Sequence, residues 1–347
     1  MEQLTIAGRP IGQGLAPYVI AEIGANHNGD MQLCRALVDA AQAAGADAVK
    51  FQSWTRDSLI SSAEYARNTR YAADHRVPTL EDAVVQYQMT PDRLREIGAY
   101  CTERGVTWFA SCFSSAEVDL LESLHAPAYK VASMDVNHLP LLRHIATTGR
   151  PVLLSVGMAT LGEVERALAA LQGGGPVALL HCVSIYPSPP EAVNLRQLET
   201  WRKAFGVPVG YSDHTLGVAV PIAAVALGAC VIEKHFTLDR SLEGWDHAIS
   251  ADPEELRALV DGARAAHQAL GSAVRIVSPV EVEKRKAFRR RMVTTRPLRQ
   301  GEVLTERDVD FKRPGTGIQP DELGYVLGRP LARDVTADEE LAWSDLA

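Results

Sequence analysis

Between Gly210 and His247 the chain reads G-Y-S-D-H-T-L-G (210–217), then an apolar run, then V-I-E-K-H-F-T-L-D-R (231–240) and G-W-D-H (244–247). The apolar run, Leu216 to Ile232, is about 17 residues long, close to the length of a membrane span. Pro221 and Gly228 interrupt it and charged clusters abut both ends. It therefore divides into a helix near Val218–Leu227 and a buried strand near Cys230–His235. Val207–Ser212 reads as another strand. His214 then falls just past one strand end and His235 at the end of the next. Consecutive strands of a parallel α/β sheet end on the same edge, so the two imidazoles face one point, a geometry suited to a divalent cation. A histidine near a strand end is more often a hydrogen-bonding loop residue than a ligand. This pair stands apart in its polar company of Ser212, Asp213, Glu233, Asp246 and His247.

Working outward, the same alternation fills most of the chain. Strands are expected at Tyr18–Ile23, Ala48–Gln52, Thr107–Ser111, Ala128–Ala132, Pro151–Ser155 and Val177–Val183. Helical patterns separate them, including one capped by Asp30, and others at Pro91–Arg104, Leu161–Leu171 and Pro253–Leu270. About eight strand–helix units in some 250 residues predict an α/β fold, a (β/α)₈ TIM barrel. An open doubly wound sheet is the alternative, but no G-x-G-x-x-G follows the first strand. Residues from Trp54 to Thr79 form a long polar excursion, of a length that is more often functional than not. After about Gly271 the style changes to a basic run, E-K-R-K-A-F-R-R-R-M (283–292), and then short strand-like pieces at Met292–Thr295, 297–305, 309–317 and 330–335, punctuated by Gly and Pro. The expected division is a catalytic barrel over 1–283 and a small β-rich domain over 284–347.

The 347 residues are 46% hydrophobic and 22% charged, with a net charge of −8 and a pI near 5.7. That balance argues against a nucleic-acid or anionic-membrane surface, and an anionic substrate would need a locally basic pocket. The N-terminus lacks the basic and apolar regions of a signal peptide, and the five cysteines form no C-x-x-C pair. Both point to a reduced, cytoplasmic compartment.

Side chains at the C-terminal ends of barrel strands face the active site. Those positions hold Glu22, Lys50, Gln52, Ser111, Lys130, Ser133, Asp135, Ser155, His181, Ser184, Tyr186, Ser212, Asp213, His214, Glu233 and His235. Lysines and small hydroxyls suit a phosphate, and carboxylates supply acid–base groups. Any one of these alone is more often a cap or surface group. Seven strands ending this way are not.

The motifs E-I-G-A-N-H-N-G-D (22–30), V-K-F-Q (49–52), A-Y-K-V-A-S (128–133), G-M-A-T (157–160), H-C-V-S-I-Y-P (181–187), and the two histidine motifs together resemble the sialic acid synthase family. The tail V-L-T-E-R-D-V-D-F-K-R-P-G-T-G-I (303–318) is similar to that family's antifreeze-like SAF domain. The resemblance covers nearly the whole chain. It implies a manganese- or magnesium-assisted condensation of phosphoenolpyruvate with an N-acylated amino sugar, giving a nonulosonic acid and phosphate. It further implies that His214 and His235 bind the metal, and that Lys50, Ser111, Lys130, Ser133, Ser155, Ser184 and Ser212 hold phosphoenolpyruvate. Glu22, Gln52, Tyr186, Glu233 and Asp246 are then the catalytic positions, while Asp135 and Arg313 contact the sugar. Arg313 would act from a neighbouring subunit in a domain-swapped homodimer. Ser184 stands where the sialate branch usually has Asn, Val156 replaces a Thr, Cys112 a Pro, and Ser133–Asp135 the usual S-G-E. These departures leave the sugar open between N-acetylmannosamine, its 6-phosphate and a diacetamido deoxyhexose. Two rival readings are a Schiff-base pyruvate aldolase using Lys50 or Lys130, and a non-catalytic carbohydrate-binding protein.

Overall fold

The computed structural model describes residues 3–68 and 79–347. Within it the chain divides into two compact units, Met1–Gly271 and Ser272–Ala347. Lys284, where the sequence places the boundary, lies inside a helix, Pro279–Phe288, of the second unit.

The first unit opens with a hairpin of β1 (Leu4–Ile6) and β2 (Arg9–Ile11). Eight parallel strands follow: β3 (Tyr18–Gly24), β4 (Ala48–Gln52), β5 (Trp108–Ser111), β6 (Tyr129–Val131), β7 (Val152–Ser155), β8 (Val177–Cys182), β9 (Val209–Asp213) and β10 (Val231–His235). They close into a barrel in sequence order, with β10 pairing β3. The expected TIM barrel is the observed fold, and most strand ends fall within two residues of their predicted positions. The apolar run after His214 does divide into a helix, Ala219–Ala226, and β10. Among the described residues no helix is long and apolar enough to cross a membrane.

Side chains alternate along a strand, so each barrel strand has one face toward the helices and one toward the barrel interior. The interior is layered. Ile20, Ala48, Phe109, Ala128, Leu153, Ala178, Leu180 and Val231 pack in one apolar cluster with Leu4, Ile6 and Ile11 of the hairpin, which plugs the N-terminal end. Two residues further along the strands, the inward positions become Glu22, Lys50, Ser111, Lys130, Ser155, Cys182, Ser212 and Glu233. Gly210 belongs to this packing: a Cβ there would sit 2.6 Å from the Val231 carbonyl oxygen and 2.7 Å from Leu180. The larger core lies between strands and helices, where Leu37, Ile97, Leu121, Leu142, Leu198 and Leu259 meet the outer faces.

Asp30 caps the helix Met31–Ala44 as expected, accepting from the Gln32 amide, and Gly45 ends it in the left-handed region. Of the polar excursion, residues 69–78 lie outside the described residues. The described remainder holds two short helices, Arg56–Leu59 and Ser62–Arg67, and a third helix, Leu80–Tyr87, follows.

In the second unit β11 (Arg291–Thr294) pairs antiparallel with β12 (Val309–Lys312). The other pieces read as strands, around Leu298 and Val303 and at Pro330–Val335, prove to be single bridges, Leu298 to Val335 and Val303 to Pro330. Their frequent Gly and Pro cut the ladders short. Met292, Leu298, Leu304, Ile318, Val326, Leu331 and Leu341 fill this unit's core.

Candidate active site

The polar layer at the C-terminal end of the barrel opens into a cavity of about 380 Å³. Lys50 is its hub. Its Nζ lies 2.8 Å from Glu22 Oε2, donates to Ser111 Oγ at 2.9 Å, and stands 3.9 Å from Glu233 Oε2. Lys130 Nζ is 3.3 Å from Glu233 Oε1, which also accepts from the Ser212 hydroxyl at 3.0 Å. Gln52 donates through Nε2 to Glu22 Oε1 at 2.7 Å, and the Trp54 indole N–H donates to Gln52 Oε1 at 2.7 Å. Two lysines thus face two glutamates, so the pocket is not basic in sum, contrary to what the acidic chain and an anionic substrate suggest. Its binding capacity lies in lysines that can re-pair and in hydroxyls not yet engaged.

Burial sets the proton affinities of this layer. It pushes the Glu22 carboxyl up, with Glu233 adding and Lys50 opposing. Glu233 is buried as deeply, but Lys130 and Lys50 outweigh burial and hold it below the usual carboxylate range. Lys130 is lowered by burial and by Lys50 against the pull of Glu233. Burial also lowers Lys50, yet Glu22 and Glu233 overcome that and raise it.

The two imidazoles stand over this layer with ring centroids 5.4 Å apart. His214 Nδ1 lies 2.9 Å from the Val183 carbonyl oxygen; an N–H donated there leaves the Nε2 lone pair free. Among the described residues His235 Nδ1 is buried with no hydrogen-bond partner, the nearest carboxylate being Asp246 at 3.6 Å. Burial, then His214 and the nearby lysines, lower His235 well below the usual imidazole range, which keeps it neutral. One imidazole oriented by a carbonyl and one left with an unsatisfied ring nitrogen fit a shared divalent cation. Among the described residues no group of three His, Cys, Asp or Glu side chains forms a metal cluster.

Beside them, Ser133 Oγ accepts from the Gly157 amide at 3.0 Å. A Cβ on Gly157 would lie 2.6 Å from Ser184 Oγ and 2.9 Å from Ser133 Oγ, so glycine is what lets both hydroxyls close on this backbone. Ser155 Oγ is buried and, among the described residues, has no partner. The Tyr186 ring sits 4.0 Å from that of His214.

Of the residues singled out in the sequence, Glu22, Lys50, Gln52, Ser111, Lys130, Ser133, Ser155, Ser184, Tyr186, Ser212, His214, Glu233 and His235 all line this one cavity. Asp135, His181, Asp213 and Asp246 are not in its lining; His181 bonds to the Val193 carbonyl and the Trp201 indole, and Asp213 pairs with Lys234. Asp135 closes a 3-10 turn, Ser133–Asp135, while an Asp246 carboxylate oxygen lies 3.6 Å from His235 Nδ1. Arg313 belongs to the second unit, where its guanidinium lies 5.6 Å from the Phe288 ring centroid. The sequence reading missed an apolar wall of Trp54, Leu59, Phe113, Met134, Met158 and Trp245. Trp245 packs against both Trp54 and Tyr87 at 5.3 Å.

Comparison with known proteins agrees with this geometry. Residues 37–275 match the NeuB family, and residues 289–347 match the SAF domain. The chain is 37% identical to N,N'-diacetyllegionaminic acid synthase of Legionella pneumophila, over 97% of each chain. It is 32% identical to human N-acetylneuraminate-9-phosphate synthase, over 96% of this chain and 94% of that one. The crystal structure of the N-acetylneuraminic acid synthetase of Leptospira borgpetersenii superposes with a TM-score of 0.73 at 32% identity, covering 82% of this chain and 95% of that one. The barrel, its layered polar site and these matches together make the chain a member of the NeuB family of nonulosonic acid synthases, with a C-terminal SAF domain.

Proposed function

We propose that this protein condenses phosphoenolpyruvate with an N-acylated amino sugar to form a nonulosonic acid and inorganic phosphate. The observation that carries this reading is the single cavity in which two paired lysines, five serines and two adjacent imidazoles converge. His214 and His235 would hold a manganese or magnesium ion. Such an ion supplies a Lewis acid for the sugar's carbonyl oxygen.

Lys50 and Lys130 bind the phosphate and carboxylate of phosphoenolpyruvate, assisted by Ser111, Ser133, Ser155, Ser184 and Ser212. C3 of phosphoenolpyruvate forms the new bond to the aldehyde carbon as the carbonyl π bond opens; the carbonyl oxygen takes up a proton to become a hydroxyl, and C2 is left as a cation. Glu22 orients a water toward that carbon and accepts its proton, a role helped by the burial that raises its carboxyl. Gln52 and Lys50 hold the Glu22 oxygens in place. The C2–O bond to phosphate then breaks while the new C2 hydroxyl gives up its proton to the departing phosphate, leaving the C2 ketone of the product and inorganic phosphate. Glu233 keeps Lys130 and Ser212 aimed into the site.

The apolar wall favours a sugar with few hydroxyls, and the legionaminic acid synthase relative points the same way, so a diacetamido trideoxyhexose is the first candidate. Tyr186, Asp135 and Asp246 are assigned to the sugar end. For the second unit we propose a domain-swapped homodimer that brings Arg313 to a neighbouring barrel. Val274, Ile276, Val280 and Phe288, each more than half exposed, supply an apolar surface for it.

Phosphate release from phosphoenolpyruvate with manganese, measured against a diacetamido trideoxyhexose, N-acetylmannosamine and its 6-phosphate, tests the reading. Release is expected with one sugar and abolished in His235→Ala, with manganese binding sharply weakened. Near-normal turnover in that variant would sink the metal assignment. The aldolase rival has its best case at Lys130, whose proton affinity is lowered. Covalent trapping by borohydride with pyruvate would favour it over the condensation.

A further inference from the structure

Each candidate metal-binding imidazole is preceded in the chain by another titratable residue. Asp213 precedes His214 and Lys234 precedes His235. Glu233 and His235 line the cavity, so Lys234 between them turns to the helix side of the sheet. Asp213 and Lys234 are direct partners in the β9–β10 register. Their side chains meet at 2.7 Å, with 0% and 1% exposure, and neither lines the cavity. Three further hydrogen bonds complete the cluster. Lys234 Nζ donates to the Thr215 carbonyl at 2.6 Å, and Asp213 Oδ1 accepts from the Thr215 amide at 2.8 Å and the Tyr211 hydroxyl at 2.9 Å.

A fully buried ion pair carries a desolvation cost that packed apolar side chains would avoid, so stability alone does not account for it. Its geometry supplies the reason. His214 is the first residue beyond β9, where the ladder no longer fixes the backbone. The cluster grips the chain on both sides of His214, through the Asp213 side chain and through both backbone groups of Thr215. It ties that grip to the residue just before His235. The Glu233–Ser212 pair makes the matching cross-strand contact on the cavity face, one register step away.

We infer that the Asp213–Lys234 pair is a clamp that sets the separation and orientation of the two imidazoles, making both positioning residues for the divalent cation. This rests on the proposed metal role of His214 and His235. Groups behind metal ligands typically tune affinity by about 10- to 100-fold when removed.

The test is manganese affinity, read from the paramagnetic resonance of free Mn²⁺ over a titration of purified full-length protein without substrate. Lys234→Met is expected to bind manganese about 10- to 100-fold more weakly than the unmodified protein. Tyr211→Phe, which removes one hydrogen bond to Asp213 and keeps the ring, is expected to lose about 2- to 10-fold. Leu142→Ala is the control, since it destabilises the outer core through a cavity far from these strand ends. It should melt at lower temperature and bind manganese normally. If Lys234→Met and Tyr211→Phe bind manganese as tightly as Leu142→Ala, the pair is only structural and the clamp is overturned. If Lys234→Met does not fold, Tyr211→Phe decides alone. If the unmodified protein itself binds no manganese, the metal reading fails and the clamp falls with it.

Discussion

Gly157 shows how much a single position can decide. It contributes no side chain, yet the hydroxyls of Ser133 and Ser184 close to within 3 Å of where its Cβ would be, and its amide donates to Ser133. The two nearest neighbours are ends of short side chains and the third, the Cys182 carbonyl oxygen, would lie at 3.3 Å, so Gly157→Ala chiefly displaces the two hydroxyls. The expected outcome is a protein that melts within a few degrees of the unmodified one but has a KM for phosphoenolpyruvate raised about tenfold, or about 1.4 kcal/mol of binding. Steady-state phosphate release at saturating sugar measures it, and an unchanged KM would remove the two serines from that subsite. At this scale the sequence was informative where chemistry and strand position coincide. Lys50, Ser111, Lys130, Ser155, Ser212 and Glu233 are recognisable because each is a polar residue two steps beyond an apolar inward one. Trp54, Phe113 and Trp245 carry no such mark. They are apolar residues in loops, and what makes them part of the site is a fold that brings loops from β4, β5 and β10 over one mouth.

The barrel's elements were legible because a parallel sheet buried on both faces writes apolar strands separated by amphipathic helices. The N-terminal hairpin was not, since three-residue strands fall below any periodicity, although Leu4, Ile6 and Ile11 seal the barrel's lower end. Loop tethers were equally hidden. The loop after β3 and the segment after β10 are joined by Asn28 Oδ1, 3.2 Å from His247 Nε2, while the Thr237 hydroxyl lies 2.7 Å from His247 Nδ1. His27 Nδ1 accepts from the Gly29 amide at 3.0 Å. Burial lowers both imidazoles to about 4, with Arg93 reinforcing it at His27 and Asp239 opposing it at His247. In the unfolded chain both take up protons near the ordinary value of 6.5, but in the folded one only near 4. Between those values the unfolded state binds more protons, so stability is lost as pH falls through the window and is fully present above it. His27 accounts for roughly 3 kcal/mol of that loss and His247, nearer to solvent, for less. Urea midpoints at pH 7 and pH 4.5 should therefore differ more for the unmodified protein than for the His27→Asn, His247→Asn double variant. Equal differences would mean that neither imidazole is buried neutral.

At the scale of the whole molecule the two units pose separate problems, because the barrel contains every residue that lines the candidate active-site cavity and the SAF unit carries Arg313. Sequence reading set off a small β-rich unit by its Gly- and Pro-punctuated pieces, but only motif resemblance identified it as a SAF domain. Its chain is built on one short ladder and single bridges, which leave almost no alternation to read. Arg313 is exposed, in a turn between β12 and Ile318, and a role at a barrel of another subunit makes a quantitative demand. Arg313→Ala chains retain an intact barrel and His235→Ala chains retain an intact arginine. Each variant alone should be nearly inactive at low sugar concentration. When the two are denatured together and refolded in equal amounts, half of the dimers are mixed. In a swapped dimer each mixed pair has one site with both His235 and Arg313 and one site with neither. Activity should then return to about a quarter of the unmodified level, whereas refolding each variant alone should restore none. If Arg313 instead served its own barrel, no mixed dimer would contain a complete site, and the mixture would stay as inactive as its components.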